Sequence, residues 1–122
     1  MSGLEGLVNI GDFARETGLT PKALRLYDDL GLLLPAEVDA VSGYRRYGPD
    51  QIERARLVAS LRLVGMPLAR IREVVDMPAA RAAAEVETYW RQVEADTATR
   101  RTMVSVLVHR LRNEARPMTT TT

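Results

Sequence analysis

The sequence predicts a mainly α chain in two parts, a small helical domain carrying a β-hairpin and then one long helix. Three observations carry that expectation: two short amphipathic stretches flank a Gly18-Leu19-Thr20-Pro21 turn, two strand-like segments surround a polar loop ending in Ser42-Gly43, and residues 79–115 run without Gly or Pro. At 122 residues, 46% apolar and 27% charged, the chain holds one small core plus an extension rather than two ordinary domains.

Asn9 supplies a capping oxygen ahead of Ile10, Phe13 and Ala14, and Asp12 lies at the positive helix end, so a first helix is predicted over about 10–17. Gly18 can end it in a left-handed conformation, Thr20 can cap the next helix, and Pro21 suits a first position that needs no amide. The second helix turns Ala23, Leu24, Tyr27 and Leu30 inward and Lys22, Arg25 and Asp29 outward before Gly31 stops it. Two short helices joined by so tight a turn form a helix-turn-helix pattern.

Leu32-Leu33-Leu34-Pro35 and Tyr44-Arg45-Arg46-Tyr47 read as the strands of a small hairpin or wing. Gly48-Pro49-Asp50 opens a third helix with an apolar stripe at Ile52, Ala55, Leu57, Val58, Leu61 and Val64. Gly65-Met66-Pro67 breaks it, and a fourth helix through Leu68, Ile71 and Val75 closes the core. The stretch from Ala79 to about Ala115 would be near 50 Å long at roughly 1.5 Å per residue, too long to pack on so small a domain. The expected organisation is a DNA-binding-type domain at 1–76, a long helix at 77–116, and a tail or truncated linker at 117–122.

Composition narrows the chemistry. Without Cys there are no disulfides, thiolate metal sites, iron–sulfur ligands or Cys nucleophile, and a single His109 excludes any site needing two imidazoles, so neither metal nor cofactor is expected. No apolar run approaches the roughly 20 residues of a membrane span, and no secretory leader is visible, which suggests a cytoplasmic chain. Ser105 and His109 share a helix face at i and i+4, with Glu114 or Asp96 as a possible orienting acid. A bare helix surface offers neither pocket nor oxyanion donors, so no enzyme is expected. The net charge of +1 conceals a gradient. Residues 1–41 set three basic against seven acidic residues, whereas residues 42–75 set seven Arg against three acids, making the middle the expected cationic face. Sixteen of the 17 basic residues are Arg, which suits phosphate and base-edge contacts and equally a GC-rich genome.

Taken in order, Ile10-Gly11-Asp12-Phe13-Ala14, Gly18-Leu19-Thr20, Leu24-Arg25-Leu26-Tyr27-Asp28, Gly31-Leu32-Leu33, Pro35, Gly43-Tyr44-Arg45-Arg46-Tyr47, Ile52-Glu53-Arg54, Leu61-Arg62 and Gly65-Met66-Pro67-Leu68 with Ile71-Arg72-Glu73-Val74 resemble the MerR family of bacterial transcription regulators over about residues 8–75. The resemblance implies a winged helix-turn-helix domain, a long dimerising helix, double-stranded promoter DNA and RNA polymerase as partners, a place on the nucleoid, and regulation by distorting the DNA. It places Lys22, Arg25 and Tyr27 on the DNA-facing helix, Tyr44, Arg45 and Arg46 in the first wing, and Arg62 beside a backbone-contacting turn. Lys and Arg neutralise phosphates, Arg grips guanine O6 and N7, and a Tyr hydroxyl reaches a phosphate oxygen. Tyr27 and Tyr47 also have a packing reading, which the core pattern favours. Leu26 stands where the family usually carries an aromatic, Glu37 where a basic wing residue is common, and the loop from Pro35 to Gly43 is one residue longer than usual.

An architectural, excisionase-like DNA-bending protein is the alternative, but such a protein needs no long dimerisation arm. The effector is open. The chain has no recognisable sensor module, so it has no small-molecule effector, or holds one in the DNA-binding half and helix, or stops before a further C-terminal module. Tyr89 and Trp90 could line a flat aromatic ligand, though seam packing fits them better.

The long helix carries its own argument. Val86, Trp90, Val93, Thr97, Arg100, Val104, Leu107 and Leu111 alternate steps of four and three, the heptad spacing of a coiled-coil homodimer seam. A parallel pair in register would oppose Arg100 to Arg100, a like-charge contact. An antiparallel pair sets Val86 on Leu111, Trp90 on Leu107, Val93 on Val104 and Thr97 on Arg100, with Asp96 across from Arg101.

Overall fold

The computed structural model describes residues 6–116, and the tail expected at 117–122 lies outside them. The chain divides after Pro78 into two compact units.

In the first unit, β1 (Val8–Asn9) runs into α1 (Ile10–Thr17), and α2 (Pro21–Asp29) follows after three residues. Asn9 caps α1 as expected, its Oδ1 accepting from the Asp12 N–H at 2.8 Å. Gly18 ends α1 at φ 79°, where a side chain would be strained, and its N–H reaches the Ala14 carbonyl at 3.0 Å. Thr20 Oγ1 accepts from the Ala23 N–H at 3.0 Å and Pro21 opens α2.

Two strands, β2 (Glu37–Val38) and β3 (Arg45–Tyr47), complete a three-stranded antiparallel sheet in the order β1-β3-β2. Val8 pairs with Tyr47 and Asn9 with Arg46 on one side of β3, and Glu37 pairs with Arg46 and Val38 with Arg45 on the other. The wing therefore departs from expectation in two respects. Leu32–Pro35 is not a strand: Leu32 and Leu33 are buried, and both of their amides donate to the Tyr27 carbonyl, at 2.8 and 3.2 Å, so the segment wraps the end of α2. The strand lies at Glu37–Val38, and β1 is an additional partner for the hairpin.

A 3-10 turn (Pro49–Gln51) leads into α3 (Ile52–Leu63), and α4 (Leu68–Val74) follows. Ala55, Val58 and Leu61 bury the inner row of α3. Of the other residues expected in the stripe, Leu57 is exposed because it lies outside that i, i+3 row, and Val64, in step with the row, is exposed at the C-cap after the last helical residue. Phe13, Leu24, Leu33, Tyr47, Met66, Ile71 and Val74 fill the remaining centre. The Phe13 and Tyr47 rings stack at 4.4 Å between centroids and 12° between planes, joining α1 to β3 with about 0.5–1.5 kcal/mol beyond area burial.

The second unit is α5 (Ala79–Ala115), 37 residues in one helix with no buried residue. No helix of the described residues is long and apolar enough to cross a membrane.

The Tyr47 hydroxyl is buried without a hydrogen-bond partner, and burial raises the phenol above its ordinary pKa of 10.0. Tyr47→Phe removes an unsatisfied polar atom and keeps the ring stack, so the melting temperature should rise, corresponding to about 1 kcal/mol in favour of the variant. Because the folded phenol keeps its proton to higher pH than the unfolded one, its contribution is whole below pH 10.0 and falls as pH rises through the raised value. The variant should lose that part of the alkaline destabilisation. A clear drop in melting temperature at neutral pH would contradict this account.

Candidate nucleic-acid interface

Lys22, Arg25, Leu26 and Asp29 form the exposed row of α2, spaced to lie on one face, while Leu24 and Tyr27 anchor the opposite face in the core. The Tyr27 side chain is only 4% exposed. Its place among the DNA-facing residues is thereby corrected: it holds α2 from below and does not share the outer row.

The wing tip is a tight turn. Asp39 Oδ1 accepts from the Ser42 N–H at 2.9 Å and the Val41 N–H at 2.8 Å, and these two backbone bonds hold its carboxyl below the ordinary value of 3.8. Gly43, at φ 74°, closes the turn with its N–H on the Asp39 carbonyl at 2.9 Å. Beyond the turn Tyr44 is 73% exposed and Val41 almost fully so. Strand alternation then separates the two wing arginines. Arg46 points outward, its Nη1 3.8 Å from Glu37 Oε1. Arg45 shares the face of Tyr47 and donates from Nε to Asp28 Oδ2 of α2 at 2.7 Å, a bond that raises the guanidinium further above its ordinary pKa.

The cationic middle of the sequence is largely turned to internal use. Arg54 donates to the Leu32 carbonyl at 3.1 Å and to Asp76 at 2.9 Å, and Arg72 donates to the Leu30 carbonyl. Arg56 reaches the Glu16 carbonyl at 3.4 Å, while Arg62, exposed, donates to the Met66 carbonyl at 3.1 Å within the α3–α4 turn. Each guanidinium sits at a carbonyl-bearing helix end or turn, where a cation is favourable. Sequence reasoning missed the roles of Asp28, Arg54 and Arg72, which arise from contacts between segments 17 to 42 residues apart.

Arg56, Ser60 and Arg62 of α3 and its end also line an open groove against Thr17 and Thr20 of the helix-turn-helix turn. On α5, Val86 and Val93 are half-buried, and Trp90, Thr97, Arg100, Val104, Leu107 and Leu111 are exposed. Tyr89 is half-buried beside Trp90. Ser105 and His109 lie on the exposed helix, with His109 Nε2 3.2 Å from Asn113 Nδ2.

A tight helix-turn-helix with a basic outer row, a β wing beside it and a second helical pair behind define a winged helix-turn-helix nucleic-acid-binding domain. The profile of the MerR HTH family of regulatory proteins matches residues 8–77, and the chain belongs to that family. It is 40% identical over 65 residues to the transcriptional regulator BrlR of Pseudomonas aeruginosa, covering 53% of this chain and 24% of that protein. It is 41% identical over 68 residues to the HTH-type transcriptional regulator CueR of Yersinia pestis, covering 56% of this chain and 48% of that one. The chain thus spans between a quarter and a half of these relatives' length. Among solved structures it is similar to EcmrR in a cryo-EM structure of the EcmrR–DNA complex in EcmrR-RPo. The TM-score there is 0.71 at 27% identity, over 88% of this chain and 39% of that one. BrlR and CueR are transcriptional regulators by name.

The ordering of the wing tip by one carboxylate is testable. Asp39→Ala should raise amide exchange at Val41 and Ser42 while leaving the buried Tyr47 amide protected. In the native chain the two amides should lose protection only as pH falls below 3.8 and through the lowered Asp39 value, since a depressed carboxylate stabilises the fold above that range. Unchanged protection in the variant would show that the backbone alone holds the turn.

Proposed function

We propose that this chain binds promoter DNA as an antiparallel homodimer and regulates transcription by distorting the promoter spacer so that RNA polymerase elements realign. One observation carries the reading: a winged helix-turn-helix with an outward Lys22–Arg25 row belongs to the same chain as a 37-residue helix that carries a heptad stripe and no buried residue. The relatives support it, being regulators by name, with EcmrR seen together with DNA in its RPo complex.

In this reading Lys22 and Arg25 enter the major groove, Tyr44 and Arg46 meet the backbone at the wing, and Arg62 meets it at the α3–α4 turn. Bending a site of 20–30 base pairs costs about 1–6 kcal/mol, which contacts at two half-sites together offset. The α5 seam of Val86, Trp90, Val93, Thr97, Arg100, Val104, Leu107 and Leu111 joins the two copies, and the complex works on the nucleoid. An architectural bending protein that never engages polymerase fits the family membership less well.

Arg25→Ala should weaken binding to a specific duplex by about 1–3 kcal/mol and relax preference at one base pair while leaving random-sequence binding nearly unchanged. Anisotropy titrations on both duplexes measure this, and an equal loss on both would reassign Arg25 to phosphate.

Leu107→Glu should set a charge beside the partner's aromatic seam and dissociate the dimer, with loss of specific DNA binding as half the contacts vanish. Sedimentation equilibrium decides it. A native monomer at micromolar concentration, or a variant dimer of native affinity, would remove the seam as the interface.

A further inference from the structure

We propose that Asp28 and Arg45 form a positioning bridge that locks the wing to α2, so that Arg45 serves DNA binding through Asp28 rather than by touching DNA. The inference rests on the DNA-binding reading above and changes the part Arg45 plays in it.

Three features of the pair set it apart. The first is direction. Arg45 is two residues from the buried Tyr47 on β3 and shares its face, whereas Arg46 between them faces outward, so the sheet itself aims Arg45 at α2. The second is geometry. The Arg45 Nε to Asp28 Oδ2 distance is 2.7 Å and the side chains are 28% and 19% exposed. The neighbouring wing pair Arg46–Glu37 lies at 3.8 Å with 54% and 35% exposed. A short charge-assisted bond shielded from water holds its partners far better than an open pair. The third is placement. Asp28 belongs to the last turn of α2, one turn beyond Arg25, and β2, which carries the wing tip, is hydrogen-bonded to β3. The bridge therefore joins the DNA-facing helix to the strand from which the wing hangs.

The charges argue the same way. A carboxylate close to a phosphate-facing surface opposes DNA unless a cation covers it, and an arginine already covering a carboxylate releases little counterion on meeting a phosphate. Direct contact and positioning thus predict opposite signs when Asp28 is neutralised. If Arg45 grips phosphate, removing Asp28 frees it and tightens binding. If the pair positions the wing, removing either partner weakens specific binding by the same amount.

The test uses the full chain with Asp28→Asn, Arg45→Met, Arg45→Lys and the Asp28→Asn/Arg45→Met double variant. The probes are a duplex selected by the native chain from a randomised pool and an unrelated duplex, each titrated at several salt concentrations. Backbone 15N relaxation compares amides of the wing tip with that of Tyr47, and thermal melts check that each variant is folded. Each single neutralisation should weaken specific binding about tenfold, with the double variant no worse than either single one. The salt slope should stay native in all of them, Arg45→Lys should recover part of the loss, and the wing-tip amides should become more mobile while Tyr47 does not. Tighter binding by Asp28→Asn, a salt slope reduced by about one in Arg45→Met alone, or wing amides as rigid as native would overturn the proposal. If the native chain bound no duplex, the functional reading would fall, and the relaxation data would still decide whether the bridge orders the wing.

Discussion

The placement of α2 depends on how its carbonyl end is closed. A helix leaves its last carbonyls without intrahelical donors, and a short helix that holds an outward basic row in place cannot tolerate a frayed end. Here Tyr27 receives two amides, from Leu32 and Leu33, and Asp28 receives Gly31 at 2.9 Å. The carbonyls that follow, those of Leu30, Leu32 and Leu34, are taken by Arg72 of α4, Arg54 of α3 and Gln51 of the turn before α3. The buried Leu32 and Leu33 side chains pin the same segment from the core side. The second helical pair is thus the element that fixes the first, because its guanidinium groups supply the donors and a positive charge at the negative end of the α2 dipole.

That arrangement changes what the charge pattern of the chain means. A guanidinium carries five donors in a planar fork and closes exposed carbonyls as readily as it meets phosphates. In residues 42–75 much of the arginine excess is used in this way, at Arg54, Arg56, Arg62 and Arg72, while Arg45 meets the Asp28 carboxylate. The outward basic row of α2 comes instead from Lys22 and Arg25, within the acidic first third of the sequence. Local net charge located the winged helix-turn-helix domain but not its basic face, since face depends on which way each helix and strand is turned.

The same distinction explains how much was legible beforehand. Asn9, Gly18, Thr20 and Pro21 act through bonds no more than four residues away, so the helix-turn-helix and its boundaries could be read directly, as could α5, which only needs to lack breakers. The strands are two or three residues long and exist through pairing with distant segments, which gives no periodicity to detect. Leu32–Pro35 has the pattern of a strand because a short apolar run looks alike in a buried strand and in a buried turn. The Asp28 partner of Arg45 was hidden for a related reason: strand parity decides whether Arg45 or Arg46 faces α2, and parity follows from a register that only the folded sheet fixes.

The long helix poses the converse problem, since its local signals are strong while no described residue of its own unit buries it. Thirty-seven residues with no buried side chain leave helix formation to propensity, and helices in proteins draw most of their stability from a packed apolar face. In the proposed antiparallel register each residue pairs with the one an equal distance beyond the midpoint between Thr97 and Arg100, as a two-fold interface requires. That single rule, set by the apolar seam, also brings Tyr89 opposite Val108 and Asp96 opposite Arg101, pairs that took no part in choosing it. It sets the aliphatic cluster of Met103, Val104, Leu107, Val108 and Leu111 against the segment bearing Tyr89 and Trp90, so large flat rings meet flexible aliphatic chains at both ends. A parallel pair would stack Trp90 on Trp90 and Arg100 on Arg100, packing like against like in shape and in charge. The antiparallel register is therefore preferred by sterics and electrostatics independently.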